Sequence, residues 1–183
     1  MKLSDRYSYE ILCEDAQTRC FLFALLKKQG ISRHKIYIDT APAGMICGSQ
    51  YVAQKYPDKV NDFLSKNYKN NVLIVCTDAD NLSIEERVRF VESNARNIKY
   101  NRQEVMIIIW IPRRQIENWI HYWRDGAGEE VDYKHTGKPE KCRLEAEKMS
   151  DYLSDQIVVT DIIPSIEYAK KEYMRVCGMQ ISY

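Results

Sequence analysis

Two unbroken apolar runs constrain this chain most: residues 72–76 (VLIVC) and 105–111 (VMIIIWI). Neither alternates apolar with polar, as a strand with one wet face would. Both are short and rich in β-branched residues, so they read as central strands covered on two faces. Such strands belong to parallel sheets, whose helical crossovers lie on both sides. The first run ends abruptly in Thr77-Asp78-Ala79-Asp80. Open α/β sheets bind ligands outside the carboxyl ends of their strands, so these two acids stand where chemistry is expected. In an extended segment residues i and i+2 point the same way, and the two charges would repel. A hard divalent cation with oxygen ligands relieves that repulsion, Mg²⁺ above all, or Mn²⁺ in its place. The plainer reading, in which Asp80 opens a turn with Asn81 and Asp78 is solvated, stays open at this point.

The rest of the chain fits the same plan. Residues 9–13 (YEILC) form a first strand ending in Glu14-Asp15, and a helix over 16–29 closes at Gly30. A short strand over 35–38 precedes a loop over 40–49 and a helix over 50–66, interrupted near Pro57. After the central strand, Ser83-Ile84-Glu85-Glu86 is a capping box. The helix it opens carries Ile84, Val88, Val91, Ala95 and Ile98 on one face. Pro112 stops the second apolar run, and a helix over 115–123 follows. Strands alternating with helices predict an α/β domain over 1–123, a mostly parallel sheet with helices on both faces. From Arg124 the chain turns polar, and helices over 143–153 and 164–176 follow. Residues 124–183 read as a loop and a C-terminal helical appendage packed on the same domain.

Composition removes several function classes. With 27 basic and 26 acidic residues the net charge is +1, so no broad basic field draws in nucleic acid, and any such contact needs a local patch. The six cysteines are scattered with no C-x-x-C pair, and Cys13 and Cys76 fall inside strands. They read as buried apolar side chains of a reducing cytoplasm, not as zinc ligands or disulfides. The start MKLSDRYSYE lacks the apolar core of a signal peptide, and no run reaches membrane-spanning length. The expectation is a cytoplasmic protein without a membrane partner.

Three strand ends thus deliver acids to one sheet edge: Glu14 and Asp15, then Asp78 and Asp80, then Glu117. At this point the chain resembles the Toprim domain of topoisomerases, primases and OLD-family nucleases. That family places a Glu after its first strand and D-x-D after a later one; here these are Glu14 in ILCED and Asp78/Asp80 in TDAD. The run IPRRQIENW also resembles small stand-alone bacterial proteins of this class, which are found in phage-defence or mobile-element systems. The chain departs from the family in having Asp15 where Gly is usual, Thr18 where a second acid often stands, and no glycine soon after D-x-D.

The resemblance implies that Glu14, Asp78 and Asp80 hold Mg²⁺ or Mn²⁺ for phosphodiester hydrolysis of DNA or RNA. A second metal would draw on Asp15, Glu85, Glu86 or Glu117. Glu86 is committed to the cap, which leaves Glu117 foremost, although an acid in the first turn of a helix also suits the helix dipole. Arg113 and Arg114 are candidate phosphate clamps, and Lys134 could reach over the site, its plainer reading being a solvated surface charge. Trp119, Tyr122 and Trp123 could stack on bases but read more simply as core. No P-loop is present, so the resemblance to OLD-family proteins implies a separate ATPase partner of the ABC/OLD-like kind; a homo-oligomer is also compatible. Together these readings describe the Toprim subunit, a metal-dependent nuclease, of a bacterial anti-phage defence system. Two alternatives stand beside it. One is a catalytically silent Toprim-like adaptor. The other is a receiver-like signalling domain with Asp78 as phospho-acceptor, which would want a Lys where Pro112-Arg113 stands.

Overall fold

Among the described residues four parallel strands, β1 (Ser8–Cys13), β2 (Ile36–Thr40), β3 (Asn71–Cys76) and β4 (Ile107–Trp110), form one sheet in the order β2-β1-β3-β4. The computed structural model describes residues 1–42, 47–65, 70–126 and 139–181. Strands β3 and β1 are central, which is why Val72–Cys76 carries no polar residue: all five side chains are buried. Cys13 lies opposite Cys76, and Cys76 opposite Trp110, so three strands end level with one another. Whatever follows them, Glu14 or Thr77 or Ile111, leaves the sheet at one edge.

Among the described residues six helices surround the sheet: α1 (Ala16–Lys28), α2 (Gly48–Ser65), α3 (Ile84–Asn94), α4 (Ile116–Asp125), α5 (Arg143–Leu153) and α6 (Pro164–Ile181). α2 and α3 pack on each other, with α2 against β1 and β3, while α1 packs on α4, α5 and β2. The fold is α/β with an all-parallel sheet, as the alternation of elements predicts. The segment beyond Arg124 shares the same core. Trp110 Nε1 donates to the Ala169 carbonyl at 3.0 Å, and Trp119 Nε1 to Ser165 Oγ at 2.8 Å. Both indoles are fully buried, and their N–H groups find acceptors on α6, as buried indoles require. Among the described residues no helix is long and apolar enough to cross a membrane.

Several boundaries differ from the sequence reading. α2 runs unbroken through Pro57. Val52, Tyr56, Val60 and Phe63 on its inner face are buried, and their packing offsets the hydrogen bond that proline removes. β4 covers only Ile107–Trp110, because Val105 and Met106 lie in the turn after a 3-10 segment at Arg102–Glu104. Alternate carbonyls still keep strand-like roles there: Met106 O accepts from Leu73 N at 3.0 Å, while Val105 O and Ile107 O face outward to the Arg175 guanidinium. α6 continues beyond residue 176 to Ile181. α5 has the predicted bounds, and the capping box at Ser83 and Glu86 forms with both of its hydrogen bonds.

Candidate functional site

The level ends of β1 and β3 bring Glu14 beside Thr77 and Asp78. Glu14 Oε1 accepts the Thr77 hydroxyl and, at 2.8 Å, the Asp78 backbone N–H. The start of α2 comes close on the other side. A Cβ on Gly48 would lie 2.7 Å from Glu14 Cβ and 3.1 Å from its carbonyl oxygen, so only glycine lets the two segments approach. Burial pushes the Glu14 carboxyl up to about 7; the bonds from Thr77 and Asp78 oppose that rise, Asp80 adds to it, and Arg87 opposes it.

Asp78 is 9% exposed, and its Oδ1 has no hydrogen-bond partner among the described residues. Burial drives its carboxyl well above the ordinary range, helped by the charges of Glu14, Asp15, Glu117 and Asp80. Two adjacent carboxyls, Asp78 buried with an orphaned oxygen and Glu14 half-buried, are stable either protonated or with a cation between them.

Asp80 does not complete the cluster. The chain stays alongside β4's continuation through Ala79, whose N–H donates to Pro112 O at 2.9 Å. It then turns, because Asp80 has φ +52° and pairs with Arg114, at φ +64°, in an isolated antiparallel bridge. The D-x-D segment is therefore not extended throughout, and the expectation that its two carboxylates point the same way fails at this left-handed residue. The Asp80 carboxylate is ion-paired to Arg87 Nη2 at 2.5 Å. Among the described residues no three Asp, Glu, His or Cys side chains stand close enough together to hold a metal ion.

The other sequence candidates are distributed around this edge. Asp15 caps α1, its Oδ1 accepting from Thr18 N at 2.7 Å. Glu86 is committed to the cap of α3, with Glu85 beside it in the first turn. Glu117 sits in the first turn of α4, near enough for its charge to act on Asp78. Arg113 Nη1 donates to Leu82 O at 2.5 Å and Arg114 Nη1 to Asn81 Oδ1 at 2.7 Å, so both brace the turn after Asp80. Lys134 lies outside the described residues. Trp119 and Trp123 are buried and Tyr122 is half-buried; Trp119 packs edge-on against Trp110, so these rings serve the core. Cys13 and Cys76 are buried thiols whose pKa burial raises, so neither is a ready thiolate.

Three residues at this edge escape motif reading: Thr77, Gly48 and Arg87. Arg87 left a trace in the sequence, for it sits among Ile84, Val88 and Val91 on the apolar stripe of its helix, where a charge requires a partner. Thr77 and Gly48 left none, because their importance rests on distances between separate segments.

Glu14 and Asp78 thus suit a hard cation by chemistry and by the unmet oxygen of Asp78; Asp80 suits one only away from Arg87. Compared with family models, with curated proteins and with solved structures, the chain has no match.

Proposed function

We propose that the Glu14–Asp78 edge is a divalent-cation site and that the protein is a metal-dependent nuclease. The observation that carries this reading is the buried Asp78 carboxyl, one oxygen of which has no partner among the described residues, held against Glu14 at the carboxyl edge of a parallel sheet. Mg²⁺ or Mn²⁺ bound there would supply Lewis-acid stabilisation of a phosphoryl oxygen and an activated water. The chain's own residues have separable tasks. Glu14 and Asp78 hold the cation. Thr77 and the Asp78 N–H fix the Glu14 carboxylate in place. Arg113 and Arg114, at the same edge, offset phosphate charge.

A net charge of +1 gives little counterion release, so affinity for nucleic acid would come from a partner. By the Toprim resemblance that partner is a separate ATPase of a bacterial anti-phage system. The test is cleavage of single- and double-stranded DNA and RNA with Mg²⁺ or Mn²⁺, comparing wild type with Asp78→Asn. Metal-dependent cleavage lost in the variant supports the reading; identical activity in the two proteins ends it.

A second reading, a catalytically silent Toprim-like binding subunit, draws on the ion pair that keeps Asp80 from its neighbours. Calorimetric titration with Mg²⁺ and Mn²⁺ separates the two, because a silent subunit takes up neither ion.

A further inference from the structure

We infer that Arg87 is the resident counter-cation of this edge, a positioning residue that holds Asp80 until a divalent cation displaces it. The inference rests on the cation-site reading above. Arg87 projects from α3, and its side chain is only 7% exposed, whereas that of Asp80 is 55% exposed. The pair is thus lopsided: the cation is fixed in the protein and the anion stands in solvent, able to change partner. Arg87 Nη2 also donates to the Ala79 carbonyl at 3.2 Å, and its guanidinium lies 5.6 Å from the centre of the Phe90 ring. Both contacts would survive the departure of Asp80, so the buried charge would not be left without support.

Asp80 itself adopts the left-handed conformation, sparsely populated by residues other than glycine. With that conformation and the Arg114 bridge, its carboxylate is paired with Arg87, while its charge still acts on Glu14 and Asp78. The Oδ1 of Asp78, nine-tenths buried and without a hydrogen-bond partner among the described residues, is the complementary observation: one acid of the D-x-D pair has an unmet oxygen while the other is paired with a protein cation.

Competition between Arg87 and a metal ion has a definite consequence. Removing the guanidinium charge frees Asp80 and removes a positive charge from beside the cation site. Both effects favour metal binding, whereas a residue that merely supported the fold would weaken it. The experiment uses the full chain stripped of metal, with Mn²⁺ and Mg²⁺ alone as probes in titration calorimetry. The proteins are wild type, Arg87→Met, and Arg87→Met combined with Asp78→Asn. Arg87→Met is expected to bind Mn²⁺ at least about tenfold more tightly than wild type, the scale of one charge-assisted hydrogen bond released from competition. The double variant is expected to lose that gain.

Equal or weaker binding by Arg87→Met, with wild type still binding, overturns the role of Arg87 and leaves the cation site standing. No binding by wild type or Arg87→Met overturns both. Should Arg87→Met not fold, the wild-type protein decides by NMR. The Arg87 Nε–Hε resonance, assigned by its loss in Arg87→Lys, is expected to shift on saturation with Mg²⁺. A resonance unmoved at saturation refutes the exchange.

Discussion

Replacing Asp78 by asparagine separates the charge of this residue from its shape. In the folded protein Glu14 has its pKa raised from 4.5 to about 7, chiefly by burial, and Asp78 is raised as well. Folding therefore favours the protonated forms. The stability that protonated Glu14 contributes is whole below about pH 4.5 and is lost as pH rises through about 7; the contribution of Asp78 begins to fall above about pH 3.8. For Glu14 alone the interval corresponds to about 3 kcal/mol. In a domain of this size that is a fall of about 6–12 °C in melting temperature between pH 4.5 and pH 8. Asp78 adds to the loss in wild type and contributes nothing once it is asparagine. The metal-free variant should then be the more stable protein at pH 8, with a shallower pH dependence. Added Mg²⁺ should raise the wild-type melting temperature at pH 8 and leave the variant unmoved. The assay is a set of thermal melts from pH 4.5 to pH 8, with chelator or with Mg²⁺. Superimposable curves for the two proteins, neither responding to Mg²⁺, would refute both the buried-charge reasoning and the cation site.

Thr77→Val removes a donor to Glu14 while keeping the shape, so Glu14 should titrate still higher and the protein should lose about 1–3 kcal/mol at neutral pH, read by urea denaturation. Gly48→Ala should cost about 1–3 kcal/mol and disturb Glu14, because its new methyl would meet Glu14 backbone and Cβ. Gly178→Ala on α6, with open space at its Cβ, should instead be neutral or gain up to about 1 kcal/mol; equal effects at the two glycines would discredit the close approach. Ser83→Ala should cost about 1 kcal/mol through the lost cap, measured by the same denaturation, and a neutral result would mean that the box adds nothing to α3.

The sheet was legible because a strand buried on both faces leaves an unbroken apolar run, and β3 announces itself in five residues. α5 and the start of α3 were legible for a similarly local reason: their caps and apolar spacing lie within one helix. The course of α2 through Pro57 was not, since the proline is visible locally and the inner-face packing that overrides it is not. Parallel topology alone placed Glu14 and Asp78 at one sheet edge; that they stand side by side depends on β1 pairing with β3, which no local pattern shows. The direction of Asp80 was not legible, because its left-handed backbone is fixed by a bridge to Arg114, far along the chain. Arg87 lay between the two cases. Its place on an apolar stripe was readable, but its partner was not.

The contact of Arg175 with β4 has a consequence for how this protein behaves when it is partly unfolded. β4 is an edge strand with every side chain buried, and the outward carbonyls of Ile107 and of Val105, in the turn before it, are occupied by one guanidinium on α6. A bare parallel edge of that composition, IIIW, would be a template for pairing with other chains. α6 thus acts as a sheath over this apolar edge strand. Any opening that lifts α6 while the sheet persists turns the folded chain into a seed for aggregation, so α6 governs colloidal behaviour as much as folding free energy.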